Sequence, residues 1–353
     1  MEAKYIYGII EASEDPHTKI SGVGVYTIPY RNISAVVSDS SFVDYTTLPK
    51  DQVAKYLLAH QQVIEKIMDS YTIIPMKLGT YALNIREVEE ILLNGYAMFK
   101  DIFRKIDNKI ELDVVATWND LNSVIKEIGE REEIKDLKRK LMSGPEGVSV
   151  KDQVKIGSLI KNILDKEREK IASEIKAVLA KMSIDLRAHD LMDDRMIFNI
   201  AFLIDKDKKT EFEKRLDELN ELYNKNNPPY PPLIKGGQGG LSGDRINFRC
   251  VGPLPAYSFY TIETKKIRFE EVDWARKMLH LDNKATKEEI IKAYRNGAKL
   301  YHPDKSPDVP NAERRFNEIY RAYRILLEYC QGDACSFNEK GFSQNAIIVK
   351  VRE

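Results

Sequence analysis

Near the end of this chain a proline separates two stretches that both carry helical periodicity, and that arrangement calls for a hairpin. Pro303 disfavours helical geometry at the residue before it, so a helix running into His302 stops there. Upstream, Ile290, Ala293, Tyr294, Ala298 and Tyr301 recur at i, i+3/i+4 spacing, with Lys292, Arg295 and Lys299 on another face. Thr286 followed three residues on by Glu289 reads as a capping-box N-terminus. Downstream, Ala312, Phe316, Ile319, Tyr320, Tyr323, Leu326 and Leu327 form a second apolar stripe. Two antiparallel helices joined by a polar loop bury such stripes against each other. His302, Pro303 and Asp304 are then presented at a stiff, exposed tip.

The segment 285–301, the His302-Pro303-Asp304 tripeptide, and Lys305, Phe316, Ile319, Ala322, Tyr323 and Leu326 together resemble a J-domain, the Hsp70-recruiting module of the DnaJ family. The resemblance implies that His302, Pro303 and Asp304, with Lys292, Tyr294, Arg295 and Lys299, dock on an Hsp70 and stimulate its ATP hydrolysis. The module itself would do no chemistry. Three departures stand out. Ile291 and Asn296 occupy positions often filled by Lys or Arg. Gly297 replaces a common apolar residue, and glycine costs about 1 kcal/mol against alanine inside a helix. The first helix, 273–279, is short. Without the resemblance, the segment reads as a helical hairpin whose histidine caps a helix end.

At 353 residues the chain calls for two or three domains. Lysines plus arginines equal aspartates plus glutamates at 55 each, so no global charge drives it towards nucleic acid or an anionic membrane. The opening Met1-Glu2-Ala3-Lys4-Tyr5 lacks a signal-peptide pattern, and the longest apolar run, 196–204, is too short to span a bilayer. Cys250, Cys330 and Cys335 make no disulfide framework, so a reducing cytoplasm is expected. Cys330 and Cys335 read as buried thiols, with a redox pair or metal half-site as the alternative.

Along the chain, strand and helix signals alternate. Residues 4–10 and 32–39 read as strands, 49–68 as a helix that Pro49 can open, 71–75 as a short strand, 86–106 as a helix and 109–118 as a strand. They define a first α+β domain, 1–119, with a ferredoxin-like sheet as its expected form. A helical connector, 120–182, contains periodic segments at 120–142 and 150–182, parted by Gly144 and Pro145. A second α+β domain, 183–268, has strand signals at 185–189, 196–204, 246–252 and 258–267 and a helix at 208–224. Its Pro/Gly-rich loop, 226–243, cannot form a packed element. The J-like module occupies 269–332. In the tail, 333–353, residues 346–351 read as a strand returning to the C-terminal sheet, which makes the module an insertion within that sheet.

Three further strings carry a second resemblance: Tyr5-Ile6-Tyr7-Gly8-Ile9, Ile74-Pro75-Met76-Lys77-Leu78-Gly79-Thr80 and Val251-Gly252-Pro253-Leu254-Pro255-Ala256-Tyr257-Ser258-Phe259. The last is a rigid two-proline bend closing a strand. Over about residues 1–265 and the tail, the chain is similar to the gas vesicle protein L/F family. That resemblance implies two ferredoxin-like α+β domains joined by long helices, no catalytic residues, and an accessory role in building gas vesicles in the cytoplasm. Contact would be with the hydrophobic shell protein and other accessory proteins. Pro253, Pro255, Tyr257 and Phe259 are the candidate partner-binding residues of this body.

No cofactor site, metal site or catalytic site is expected. Ser21-Gly22-Val23-Gly24-Val25 lacks the third glycine of a dinucleotide loop, and there is no Walker A sequence. His189, Asp190, Asp193 and Asp194 form the densest His-carboxylate group and read as a solvated turn. His17, His60 and His280 read as isolated. Three rival readings remain at this level: a J-domain co-chaperone for an unrelated client, an enzyme built on residues 189–194, and a degenerate module kept for structure.

Overall fold

The computed structural model describes residues 2–12, 18–20, 24–143, 149–225, 245–302, 311–330, 332–339, 342 and 347–352. The Pro/Gly-rich stretch 226–243 lies outside the described residues, as do Pro303, Asp304 and Lys305. The chain forms two compact units, 1–105 with 260–353, and 106–259.

In the first unit, the apolar run of β1 (Glu2–Ile10) pairs antiparallel with β4 (Ile33–Ser41) on one side and β5 (Ile73–Pro75) on the other. β2 (Lys19–Ile20) and β3 (Val25–Tyr30) extend the sheet beyond β4, and β6 (Tyr81–Ala82) also pairs with β1. Sequence reasoning missed β3, because Pro29 interrupts its strand pattern. Between β4 and β5 runs α1 (Lys50–Met68), with Pro49 as its N-cap. After β6 comes α2 (Ile85–Ile106), whose buried Val88, Ile91, Leu92, Phe99, Ile102 and Phe103 recur at helical spacing.

The second unit opens on β7 (Lys109–Trp118). The expected helix at 120–142 is two helices, α3 (Leu121–Gly129), capped by the Asp120 side chain, and α4 (Glu132–Met142). The 30-residue α5 (Val150–Leu179) starts at a capping box formed by Ser149 and Asp152. Then follow β8 (Asp185–Ala188), β9 (Met196–Asp205), α6 (Lys209–Lys225), β10 (Ile246–Leu254) and the single turn α7 (Tyr257–Tyr260). The sheet order β10-β7-β9-β8, antiparallel throughout, is the β-α-β-β-α-β ferredoxin-like arrangement, with α3 to α5 as the first crossover.

The strand at 109–118 therefore belongs to the second sheet and not to a first domain ending at 119. Its long buried face pairs with both β9 and β10, which fixes it centrally. The expected strand at 258–267 starts later, as β11 (Ile262–Lys266), because α7 occupies the residues before it.

The tail strand β14 (Ile347–Val351) does not return to the C-terminal sheet: it pairs antiparallel with β11. Ile262 of β11 bridges to Met76, and the Lys77 N–H donates to Ile262 O at 2.8 Å, so both strands belong to the first unit. The helical module is thus inserted between two paired strands, with a different host from the expected one. It comprises α8 (Phe269–Met278), β12 (Lys284–Thr286), α9 (Lys287–Tyr301), α10 (Ala312–Tyr329) and β13 (Ala334–Ser336), which pairs with β12. Its core of Val272, Ala275, Ile290, Ile319, Ala322, Leu326 and Tyr329 is continuous with Ile267 and Ile348, at the feet of the two strands. A chain of ion pairs follows the same route: Lys77–Glu263 (2.9 Å), Glu263–Lys350 (3.4 Å), Lys350–Glu328 (3.1 Å) and Glu328–Lys265 (2.6 Å). Such partly exposed pairs contribute at most about 1 kcal/mol each, so the shared apolar core is the larger part of what holds the module.

Candidate partner-docking site

The helix pair is built from its caps inward. Thr286 accepts from the Glu289 N–H, and the Glu289 carboxylate accepts from the Thr286 N–H at 2.8 Å. Those bonds hold the Glu289 carboxyl below its usual range. They fix the start of α9. Tyr294 stacks on Tyr323 of α10 with ring centroids 4.3 Å apart. One turn on, a Cβ at Gly297 would lie 3.0 Å from Ile319 Cδ1 and 3.1 Å from its Cγ2. The glycine that looked like a helix penalty is what admits the Ile319 side chain between the helices. At the end of α9, the His302 ring meets Phe316 of α10 edge-on at 5.5 Å, in extended backbone as Pro303 requires.

Opposite this packed face, Lys292, Arg295 and Lys299 are exposed. Among the described residues none of the three has an ion-pair partner. Tyr294, expected to dock with them, is half-buried and stacked on Tyr323. The described part of the site is therefore a row of exposed cations leading to His302.

The strand-end bend behaves differently. Gly252 has φ +146, and a Cβ there would lie 2.6 Å from Leu112 Cδ2 and 2.8 Å from Glu111 O, so only glycine fits. Pro255 and Phe259 are buried, with the Arg187 guanidinium 5.6 Å from the Phe259 ring centroid. Of the four candidate partner-binding residues, only Pro253 and the half-buried Tyr257 offer accessible surface. The bend is tied down by Ser258, whose N–H donates to Glu111 Oε2 at 2.8 Å and whose hydroxyl donates to Oε1 at 2.7 Å. Burial, and then the neighbouring Asp113 charge, raise the Glu111 carboxyl to about 8. His189 Nε2 lies 3.0 Å from Ser258 Oγ. Asp193 is engaged in the adjoining turn, its Oδ1 accepting from Arg195 N at 2.8 Å and Met196 N at 3.1 Å. Among the described residues there is no group of carboxylate, histidine and cysteine side chains suited to a metal ion.

The other two strings also meet. Gly8 and Ile9 of β1 pair with Pro75 and Ile74 of β5. His60 locks them: its Nε2–H donates to Met76 O at 2.9 Å, so its Nδ1 accepts from the Tyr5 hydroxyl at 2.8 Å. Burial pushes the His60 imidazole below its usual range, which keeps it neutral.

A family model described as gas vesicle synthesis protein GvpL/GvpF matches residues 3–229. The chain belongs to the gas vesicle protein GvpL/GvpF family. A second model, the DnaJ domain, matches residues 277–329. Gas vesicle protein F1 of Halobacterium salinarum is 25% identical over 74% of this chain and 94% of its own length. Gas vesicle protein F of Microcystis aeruginosa is 23% identical over 62% of this chain and 89% of its own. The crystal structure of GvpF from Anabaena superposes with a TM-score of 0.59 at 20% identity, covering 74% of this chain and all of that one, and it supports the fold. A chaperone protein DnaJ of Nitratiruptor is 42% identical over 72 residues, 19% of that protein, so the likeness is to the module alone.

Within this GvpL/GvpF chain, sequence reasoning missed His60, Glu111 and Asp113. Two carboxylates at alternate positions of an otherwise apolar strand, Glu111 and Asp113, were a readable signal, because a strand buried on that face must supply them with partners. His60 sits on the apolar stripe of its helix, and nothing local distinguishes it from a core residue. Among the described residues no helix is long and apolar enough to cross a membrane.

Proposed function

We propose that this protein is a non-enzymatic assembly factor for gas vesicles that brings an Hsp70 to its client. The α+β body binds the shell protein or other accessory proteins, and the module recruits the chaperone through His302, Pro303 and Asp304 with the Lys292, Arg295 and Lys299 face, Tyr294 acting as its support. The reaction belongs to the Hsp70, and the protein works in the cytoplasm beside growing vesicles. The observation that carries this reading is the pairing in one chain of a GvpL/GvpF body with a DnaJ domain whose exposed cations lead to His302. A module seated on a strand pair of the body holds the chaperone next to whatever the body binds, and tethering of that kind raises effective concentration without any new contact.

The test is Hsp70 ATP turnover with the full chain added. Wild type stimulates turnover, and His302→Gln abolishes stimulation while helical content and cooperative unfolding are retained. A wild-type chain that leaves turnover unchanged would mean the module serves as structure only. Co-purification with the shell protein separates the gas vesicle reading from a co-chaperone for an unrelated client.

A further inference from the structure

β10 is an edge strand: one side pairs with β7, and the other pairs with no strand among the described residues. Its hydrogen bonds show which residues look outward. Ile246 donates its N–H to Asn224 Oδ1 at 3.1 Å, and its carbonyl accepts from Asn224 Nδ2 at 3.0 Å. Both backbone groups of Ile246 therefore face away from β7. Arg245 before it faces inward, its carbonyl accepting from the Asn119 N–H at 3.0 Å. Backbone groups alternate along an antiparallel strand. Asn247, Arg249 and Val251 thus bond to Thr117, Val115 and Asp113 of β7, whereas Phe248 and Cys250 turn their N–H and C=O to the open side. Asn224 of α6 takes the place of a partner strand at Ile246, and the irregularity between Val251 and Leu254, with Pro253 inside it, stops the ladder at the other end. Between these stops the outward groups of Phe248 and Cys250 have no partner among the described residues.

We propose that this window of β10 binds a protein segment in extended conformation, which adds to the sheet as a further strand and sets an acidic side chain opposite Arg249. Main-chain hydrogen bonds supply the affinity of such a contact, and side chains at alternate positions supply its selectivity. Arg249 is exposed, and among the described residues its guanidinium has no ion-pair partner. On an antiparallel added strand Phe248 and Cys250 make the hydrogen-bonded pairs. Arg249 then stands in the pair between them, where facing side chains come closest. An acidic residue there is favoured and a basic one is rejected. The residues on either side of it fall on the face of Phe248, whose ring centroid lies 6.3 Å from those of Tyr223 and Phe198, so they are apolar or aromatic. The same charge turns away a second copy of this chain, because the register that uses both open residues of two β10 strands sets Arg249 directly against Arg249. Docking of this kind requires neither the DnaJ module nor an Hsp70, since β10 lies in the other compact unit.

Hydrogen exchange on the full chain, read at single amides, tests the open edge. In the free chain the Phe248 and Cys250 amides should exchange at least about a hundredfold faster than those of Asn247 and Arg249. A library of random seven-residue peptides, selected on the immobilised full chain, tests the partner. Selected peptides should carry aspartate or glutamate at a central position between apolar residues, and their binding should slow the Phe248 and Cys250 amides. Arg249→Glu should weaken those peptides by about tenfold and select basic centres from the same library. The proposal is overturned if the two amides are as slow as their neighbours in the free chain, as when residues 226–244 or a second copy already cover the edge. It is equally overturned if selection returns no acidic centre, or if bound peptides leave the two amides unchanged. The wild-type exchange and selection decide the matter even if Arg249→Glu does not fold.

Discussion

The α9–α10 hairpin and the bend at 252–259 each hold a short segment in one shape, by opposite means. The hairpin uses apolar contact: Tyr294 on Tyr323, Ile319 against Gly297, Phe316 against His302, with its charges left in solvent. The bend uses a buried carboxyl, Glu111, that accepts both the amide and the hydroxyl of Ser258. Apolar packing is indifferent to pH and tolerates an exposed cationic face, so a binding surface can change without loss of the scaffold. A buried carboxyl gives directional bonds but couples the shape of the bend to its protonation state.

The sharpest way to break this comparison is at the glycines. Gly252→Ala puts a methyl into Glu111 O and Leu112 in a backbone conformation that side chains disfavour. We expect a loss of about 3 kcal/mol in denaturant unfolding; a loss near zero would show that the bend is not fixed by that contact. Gly297→Leu should cost about 2 kcal/mol by overpacking Ile319, read from module-specific hydrogen exchange at α9 and α10. An unchanged exchange pattern would mean the helices do not approach as closely as described.

The pH contrast is the smaller effect. Glu111 has its folded pKa raised, from an ordinary 4.5 to about 8. The folded state therefore holds a proton that the unfolded state releases, so the contribution of Glu111 to stability is fully present below about pH 4.5 and is lost as pH rises towards 8. The slope contributed there approaches about 1.4 kcal/mol per pH unit. Glu111→Gln should flatten unfolding curves measured across that interval, leaving the residual dependence of Asp113, which burial also raises. A variant with the wild-type slope would remove Glu111 as the source. Hydrogen exchange of the α9–α10 pair should stay level over the same interval once corrected for the intrinsic chemical rate.

Much of the module was legible because its instructions are local. The Thr286–Glu289 box, the apolar stripes and Pro303 lie within a few residues of the features they specify. The 226–243 and 303–310 stretches are outside the described residues, so the tip is represented in the structure by His302 alone. The role of Gly297 was not legible, because a helix-interior glycine looks like a cost until Ile319 is seen beside it. Cys330 and Cys335 were visible as a spaced pair, but only the fold shows that both are buried, Cys335 on the β12–β13 ribbon opposite Ala285.

By itself the sequence determined most of the longer helices and strands, where the hairpin turns, and which families the body and module belong to, since periodicity, caps and short strings act over a few residues. Tertiary structure alone decided that β7 serves the second sheet, that β14 pairs with β11, and that His60 and Glu111 are buried anchors. Strand pairing and buried polar bonds join residues tens to hundreds of positions apart, and the energy that selects one partner over another exists only once both are packed in the same core.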